Sequence, residues 1–217
     1  MSVHLAIETA HRAGGVAVRG EDGRVVAVPL ESASGIDDRL MPEIDRLFRE
    51  LGATPCEVSL VGVSIGPGGF TGLRIAVSTA RSLALTTGCA VVAVPTAIVA
   101  AAGSEATVAV LLSSRRGTIW CTRVAAGGQI DGEPGLVGTS GLAERIRGCE
   151  AVIADDHLPE DMAELLGDVP IRPLHLDPTA CLEAAEAMAA DGRTVDPGTL
   201  EPLYPRPPEA VRLFEAR

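Results

Sequence analysis

Residues 61–88 constrain the fold more than any other stretch of the chain. The near-continuous apolar run around Val61, Val63 and Ile65 is followed by Gly66-Pro67-Gly68-Gly69-Phe70-Thr71-Gly72. Beyond it, Ala76, Ser78, Thr79, Ala80, Ser82 and Ala84 are interspersed with Leu73, Val77 and Leu83. An apolar run bounded by turn residues reads as a buried strand, and the spacing of Leu73, Val77 and Leu83 reads as a helix over residues 71–87. A buried strand, a glycine turn and a helix in succession place the chain among α/β proteins. A glycine-rich turn that opens a helix either presents backbone N–H groups to an anion or allows positive φ and a close approach of two backbones. The spacing fits neither the Walker A pattern nor GxGxxG, so Gly66, Pro67, Gly68, Gly69, Phe70, Thr71 and Gly72 are read as a structural turn that delivers a thin helix.

The remaining pattern divides in two. Strands are expected at 3–7, 15–18 and 24–30, antiparallel, with Glu21-Asp22-Gly23 as a hairpin tip. A helix follows over 37–51 with Gly52 at its C-terminal cap, then the segment above, a strand at 90–94 and a short helix begun by Pro95. From Glu105 the order restarts, with strands at 106–112 and 118–124 around Arg115-Arg116-Gly117, a turn at Gly127-Gly128, a helix at 140–147, a strand at 151–154, and helices at 160–166 and 179–190. This gives two lobes of related topology, 1–104 and 105–217, divided near Gly103-Ser104. Four prolines within residues 202–208 make the end extended or polyproline-like.

Composition removes several functions. The net charge is −11 and all 18 basic residues are arginine, which disfavours direct nucleic-acid binding and excludes a phosphate-loop lysine, a Schiff-base lysine and a kinase-type lysine. The five cysteines show no metal-ligand spacing and read as reduced thiols, mostly in the core. His4, His11, His157 and His175 include no i, i+4 pair and read as isolated surface or loop residues. No metal site, catalytic residue or cofactor is expected. The longest apolar runs are broken by Pro95, Thr96 and Gly103, and the N-terminus has no basic leader, so no membrane span is expected and the cytoplasm is the default.

The run VGVSIGPGGFTGLRIAVSTARSLAL resembles the signature of the TsaB (YeaZ) family, usually GPGSFTGLRIG followed by a small-residue helix. Leu5-Ala6-Ile7-Glu8-Thr9 is similar to the family's LAIDTS, Asp38-Arg39-Leu40-Met41-Pro42 to SERLLP, Arg115-Arg116-Gly117-Thr118-Ile119-Trp120 to DARRGEVY, and Pro202-Leu203-Tyr204-Pro205-Arg206 to P-x-Y-L-R. Two departures are Gly69 in place of the family's serine and Ile36 where many relatives carry histidine.

The resemblance implies a two-lobed fold like the actin, sugar kinase and Hsp70 ATPase domains, ribonuclease H-like in each lobe, with a shortened second lobe. It also implies a scaffold role beside the catalytic subunit TsaD and the ATPase TsaE in threonylcarbamoyl transfer to an adenosine next to the tRNA anticodon. Transfer RNA is then met only through the complex, and the chain forms a homodimer when alone. Helices 37–51 and 71–87 would pack against the same pair on TsaD, with Leu40, Ile44, Leu73, Arg74, Ala76, Val77 and Ala80 as interface candidates. Glu8-Thr9 stands where a phosphate-loop acid would be, but no glycine-threonine turn follows. The corresponding second-lobe position reads Leu112-Ser113-Ser114, without the family's aspartate, so the nucleotide cleft reads as degenerate. The rival reading is an autonomous kinase-like or metallopeptidase-like enzyme, opposed by the missing lysine and the missing HxxxH pair. Arg115, Arg116, Arg206 and Arg212 read as solvated charges before they read as contacts to a partner.

Overall fold

A computed structural model describes residues 2–30, 39–114 and 117–206. The expectations placed on Ile36, Asp38, Arg115, Arg116, Arg212 and the prolines at 207 and 208 lie outside the described residues.

The first sheet comprises β1 (Val3–Glu8), β2 (Gly15–Arg19), β3 (Val25–Pro29), β4 (Val58–Gly66) and β5 (Ala90–Pro95), in the order β3-β2-β1-β4-β5. The three opening strands are antiparallel, with Ala17 opposite both Ala6 and Ala27, and β4 and β5 join them in parallel. The second sheet comprises β6 (Val108–Ser114), β7 (Thr118–Val124), β8 (Gly135–Val137), β9 (Ala151–Ala154) and β10 (Ile171–Pro173), in the order β10-β9-β6-β7-β8. Renumbered from its own start, this second order is the first one read from the other end, so both lobes share one topology. Helices α1 (Leu40–Glu50) and α2 (Phe70–Thr87) occupy the crossovers of the first lobe, and α4 (Thr139–Arg145) and α5 (Glu160–Glu164) those of the second. Helices α3 (Thr96–Ala100) and α6 (Pro178–Ala190) follow the last strand of each lobe.

Strand alternation decides what each face buries. Leu5, Ile7, Val16, Val61 and Val63 point to one side, where Leu40, Ile44, Leu47 and Phe48 of α1 and Ala76, Val77 and Ala80 of α2 cover them. Ala6, Ala17, Leu60 and Val92 point to the other side, against Cys181, Leu182, Ala185 and Met188 of α6. The sheet is thus buried on both faces, which is why β4 reads as nearly unbroken hydrophobicity. Helix α6 lies downstream of the second sheet yet packs on the first. In exchange, Ala97 and Ala101, on and just after α3, pack with Val108, Val110, Leu112 and Ile153 of the second sheet. The lobes are therefore interlocked as well as joined. Helices α4 and α5 close the far side of the second sheet through Leu142 and Met162.

Helix ends follow the residues. Asp177 caps α6 by accepting a hydrogen bond from the Thr179 N–H at 2.8 Å, with Pro178 in the first turn. Gly52 and Gly88, with φ of +67° and +74°, end α1 and α2. Pro95 caps α3 from outside rather than sitting within its first turn. Strands β8 and β10 are additions to the sequence expectation. Among the described residues no helix is long and apolar enough to cross a membrane.

Candidate functional site

The C-terminal ends of β1, β4, β6 and β9 converge on a cavity of about 640 Å³ between the lobes, whose walls include Thr9, Gly68, Phe70, Ser113, Asp155 and His157. Ligand crevices of open α/β sheets form at such strand ends. The first-lobe wall is closed upon itself. Thr9 Oγ1 donates to the Gly72 carbonyl at 2.8 Å, and the Gly69 N–H donates to the Ala10 carbonyl at 2.7 Å. A Cβ at Gly68 would stand 2.3 Å from the Ala10 carbonyl oxygen, so this position admits only glycine while the turn rests on the β1 loop. The Gly69 N–H, one of the donors an anion would need, is thereby already committed.

Glu8 is fully buried and is not part of the cavity wall. Its Oε1 accepts from the Ala10 N–H at 2.7 Å, and Oε2 has no partner. Burial pushes the carboxyl up to about 7, offset in part by the Ala10 N–H and the nearby Ser64 hydroxyl, which pairs with Thr96 Oγ1 at 3.0 Å. On the second-lobe wall the carboxylate comes from Asp155, just beyond β9. It accepts from the Ser113 N–H at 2.6 Å, the Ser113 hydroxyl at 2.5 Å and the His157 N–H at 3.0 Å. Sequence reasoning placed Ser113 but missed Asp155, whose signal was its position directly after an expected strand. Among the described residues no group of three or more His, Cys, Asp or Glu side chains is arranged to hold a metal ion. His11 and His157 line the cleft, and His175 is exposed. His4 corrects the expectation of an isolated histidine: it sits in β1 with Nδ1 2.7 Å from Glu186 Oε1 of α6, which also accepts from Arg19 Nε at 2.8 Å.

The second surface is the outer side of α1 and α2, and here the structure corrects the expected docking face. Leu40, Ile44, Leu73, Ala76, Val77 and Ala80 are all at most 4% exposed, packed inside the chain's own core, so none of them is available to a partner. Their apolar spacing marked the buried stripe of each helix. Between the helices a shallow groove of about 310 Å³ is lined instead by Met41, Ser78, Thr79, Ser82, Leu83 and Thr86. Met41 and, further along, Leu85 are 52% and 74% exposed. The outward charges of α1 are held in a ladder, Arg39 to Glu43 at 3.0 Å, Arg46 to Glu43 at 2.7 Å and Arg46 to Glu50 at 3.3 Å. The two arginines hold the Glu43 carboxyl below the ordinary range. Arg74 alone of the seven candidates is exposed. Its guanidinium lies 4.0 Å from the Phe70 ring centre, and Nε donates to the Tyr204 hydroxyl at 3.1 Å.

Comparison with known proteins agrees with this architecture. The family described as TsaD: tRNA N6-adenosine threonylcarbamoyltransferase matches residues 26–133. The tRNA threonylcarbamoyladenosine biosynthesis protein TsaB of Bacillus subtilis (strain 168) is 32% identical over 80 residues, which are 37% of this chain and 35% of that protein. The match thus spans about a third of that relative's length. Two solved structures from Pseudomonas aeruginosa superpose with TM-score 0.79 at 24% identity. One is described as YeaZ and the other as an uncharacterized protein with similarity to peptidase YEAZ; they cover 94% and 95% of this chain and 100% of their own. Two sheets of one topology facing each other across a cleft define the class, the two-lobed α/β proteins typified by the actin, sugar kinase and Hsp70 ATPase domains. Within that class, the chain is similar to the TsaB protein of Bacillus subtilis and to the YeaZ structures, and residues 26–133 match the TsaD family.

Proposed function

We propose that the chain acts in the biosynthesis of threonylcarbamoyladenosine in tRNA, as a subunit that docks a TsaD-type transferase and has no catalytic centre of its own. A TsaE-type ATPase joins the assembly, tRNA is met through the complex, and the setting is the cytoplasm. The docking face is the groove between α1 and α2, and without the partner the same face pairs two copies of the chain. The lobes expected at 1–104 and 105–217, with α6 and Leu200 of the second stretch packed on the first sheet, serve as the frame that presents it.

The observation that carries this reading is the outward side of α2. Ser78, Ser82 and Thr86 recur at four-residue intervals beside Met41 and Leu83, so a second helix can approach closely and find apolar contact at the edges. The committed side chains in the cleft add support. Glu8 is withdrawn beneath the wall and Asp155 is engaged by three donors, which leaves neither carboxylate poised toward a phosphate. The biosynthetic role is carried over by similarity from the Bacillus subtilis tRNA threonylcarbamoyladenosine biosynthesis protein TsaB.

The test is reconstitution. Threonylcarbamoyl transfer to tRNA by a TsaD-type subunit and the ATPase from the source cell is expected to require this chain, with nothing transferred by the chain alone. Nucleotide hydrolysis or transfer by the isolated chain would favour the autonomous-enzyme reading.

A further inference from the structure

We propose that residues 195–206 form a strap that fixes the separation of the two lobes and ties the width of the interlobe cleft to the first turn of α2. The strap starts on the first lobe, where the Val195 N–H donates to the Val91 carbonyl at 2.9 Å on the free edge of β5. Leu200 anchors it in the first-lobe core at 3% exposure. The Leu203 N–H then donates to the Ile65 carbonyl at 2.7 Å, and the Tyr204 ring lies 5.4 Å from that of Phe70 while its hydroxyl accepts from Arg74. Pro205 enters the cavity wall, and Arg206 Nη2 donates to Thr118 Oγ1 at 2.8 Å, on β7 of the second lobe.

This succession assigns a use to Gly66. Its φ is +107°, and a Cβ there would meet the Leu203 carbonyl oxygen at 3.0 Å and the Leu73 side chain at 2.8 Å. The glycine turn therefore serves as the seat of the strap, joining two segments that lie far apart in sequence. The chain already passes between the lobes near 101–107 and 174–177, so the strap adds a third crossing, at the cavity itself. Past Leu200 its polar contacts are few and its residues are half-buried or exposed, so it can release without opening either core. Phe70 and Arg74 contact the strap and belong to the helix proposed to dock, so a partner seated on α2 bears on the cleft through Tyr204. This last coupling rests on the docking reading, whereas the strap itself does not.

The test is hydrogen exchange on the isolated full-length chain, which keeps it separate from any partner. In Arg206→Gln, amides of residues 9–12, 68–72 and 112–114 are expected to exchange about tenfold faster, with those of the β1, β4 and β9 cores unchanged. Tyr204→Phe, which keeps the ring and loses only the hydroxyl, is expected to raise exchange at 68–74 by a smaller factor and serves if the first variant does not fold. Unchanged exchange at the cleft in a folded variant overturns the proposal. So does a uniform increase throughout the chain, which marks general destabilisation.

Discussion

Glu8 turns one carboxylate oxygen onto the backbone N–H of Ala10, 2.7 Å away, and leaves the other buried without a partner. Its folded-state value of about 7 stands above the ordinary 4.5, so the unfolded chain gives up this proton first. Stability is therefore full below about pH 4.5 with respect to this group and falls as pH rises toward 7, by about 3 kcal/mol in all. Glu8→Gln should flatten that slope, and its melting temperature relative to the native chain should rise between pH 5 and pH 8. Thermal unfolding across that range checks this, and parallel profiles for the two proteins would refute it.

Replacing a residue on the inner side of α2 should act on folding. Ala80 is wholly buried between the helix and the first sheet. An arginine there carries an unpaired charge into the core at a cost of roughly 4 kcal/mol or more. Circular dichroism of Ala80→Arg is expected to report an unfolded or insoluble chain, whereas Ser82→Arg, on the exposed side, should melt like the native protein.

The interlock of the lobes predicts that neither half is self-sufficient. Residues 1–104 lack α6 and leave Ala6, Leu60 and Val92 uncovered, so this fragment should aggregate or unfold by itself and recover when α6 is supplied. In the full chain Leu182→Ala should cost about 2–5 kcal/mol, read as a shift in the urea midpoint.

At the glycine turn, Gly68→Ala drives a methyl group into the Ala10 carbonyl and should cost roughly 1–3 kcal/mol. The loss should appear as faster exchange at the Gly69 amide, which donates to that carbonyl.

Much of the backbone was legible because each element carried a local signal. The alternating opening strands, the apolar β4, Gly52 and Gly88 at helix ends and Pro178 at a helix start all acted over a few residues. Strands β8 and β10 were not legible, since each has only three residues and is held by pairing with a neighbour. The phase of α2 was also hidden. Small residues occupy every side of that helix, so composition does not say which of Ala80 and Ser82 faces water, and the larger Leu73 and Val77 drew the docking assignment toward the core. Nor did any local pattern announce that α6 would cover the first sheet, or that Asp155 would bond Ser113 across 42 positions. Those are long-range contacts, settled by the packing of whole elements.

The central claim, that the exposed groove between α1 and α2 docks a TsaD-type subunit, is tested most directly by the affinity of that complex measured calorimetrically with the native chain and with Ser82→Arg. The groove places Ser82 beside Met41 and Leu83, so the added side chain should hold the helices apart and weaken binding roughly thirtyfold or more while the variant stays folded. An unchanged dissociation constant in the folded variant would contradict the account.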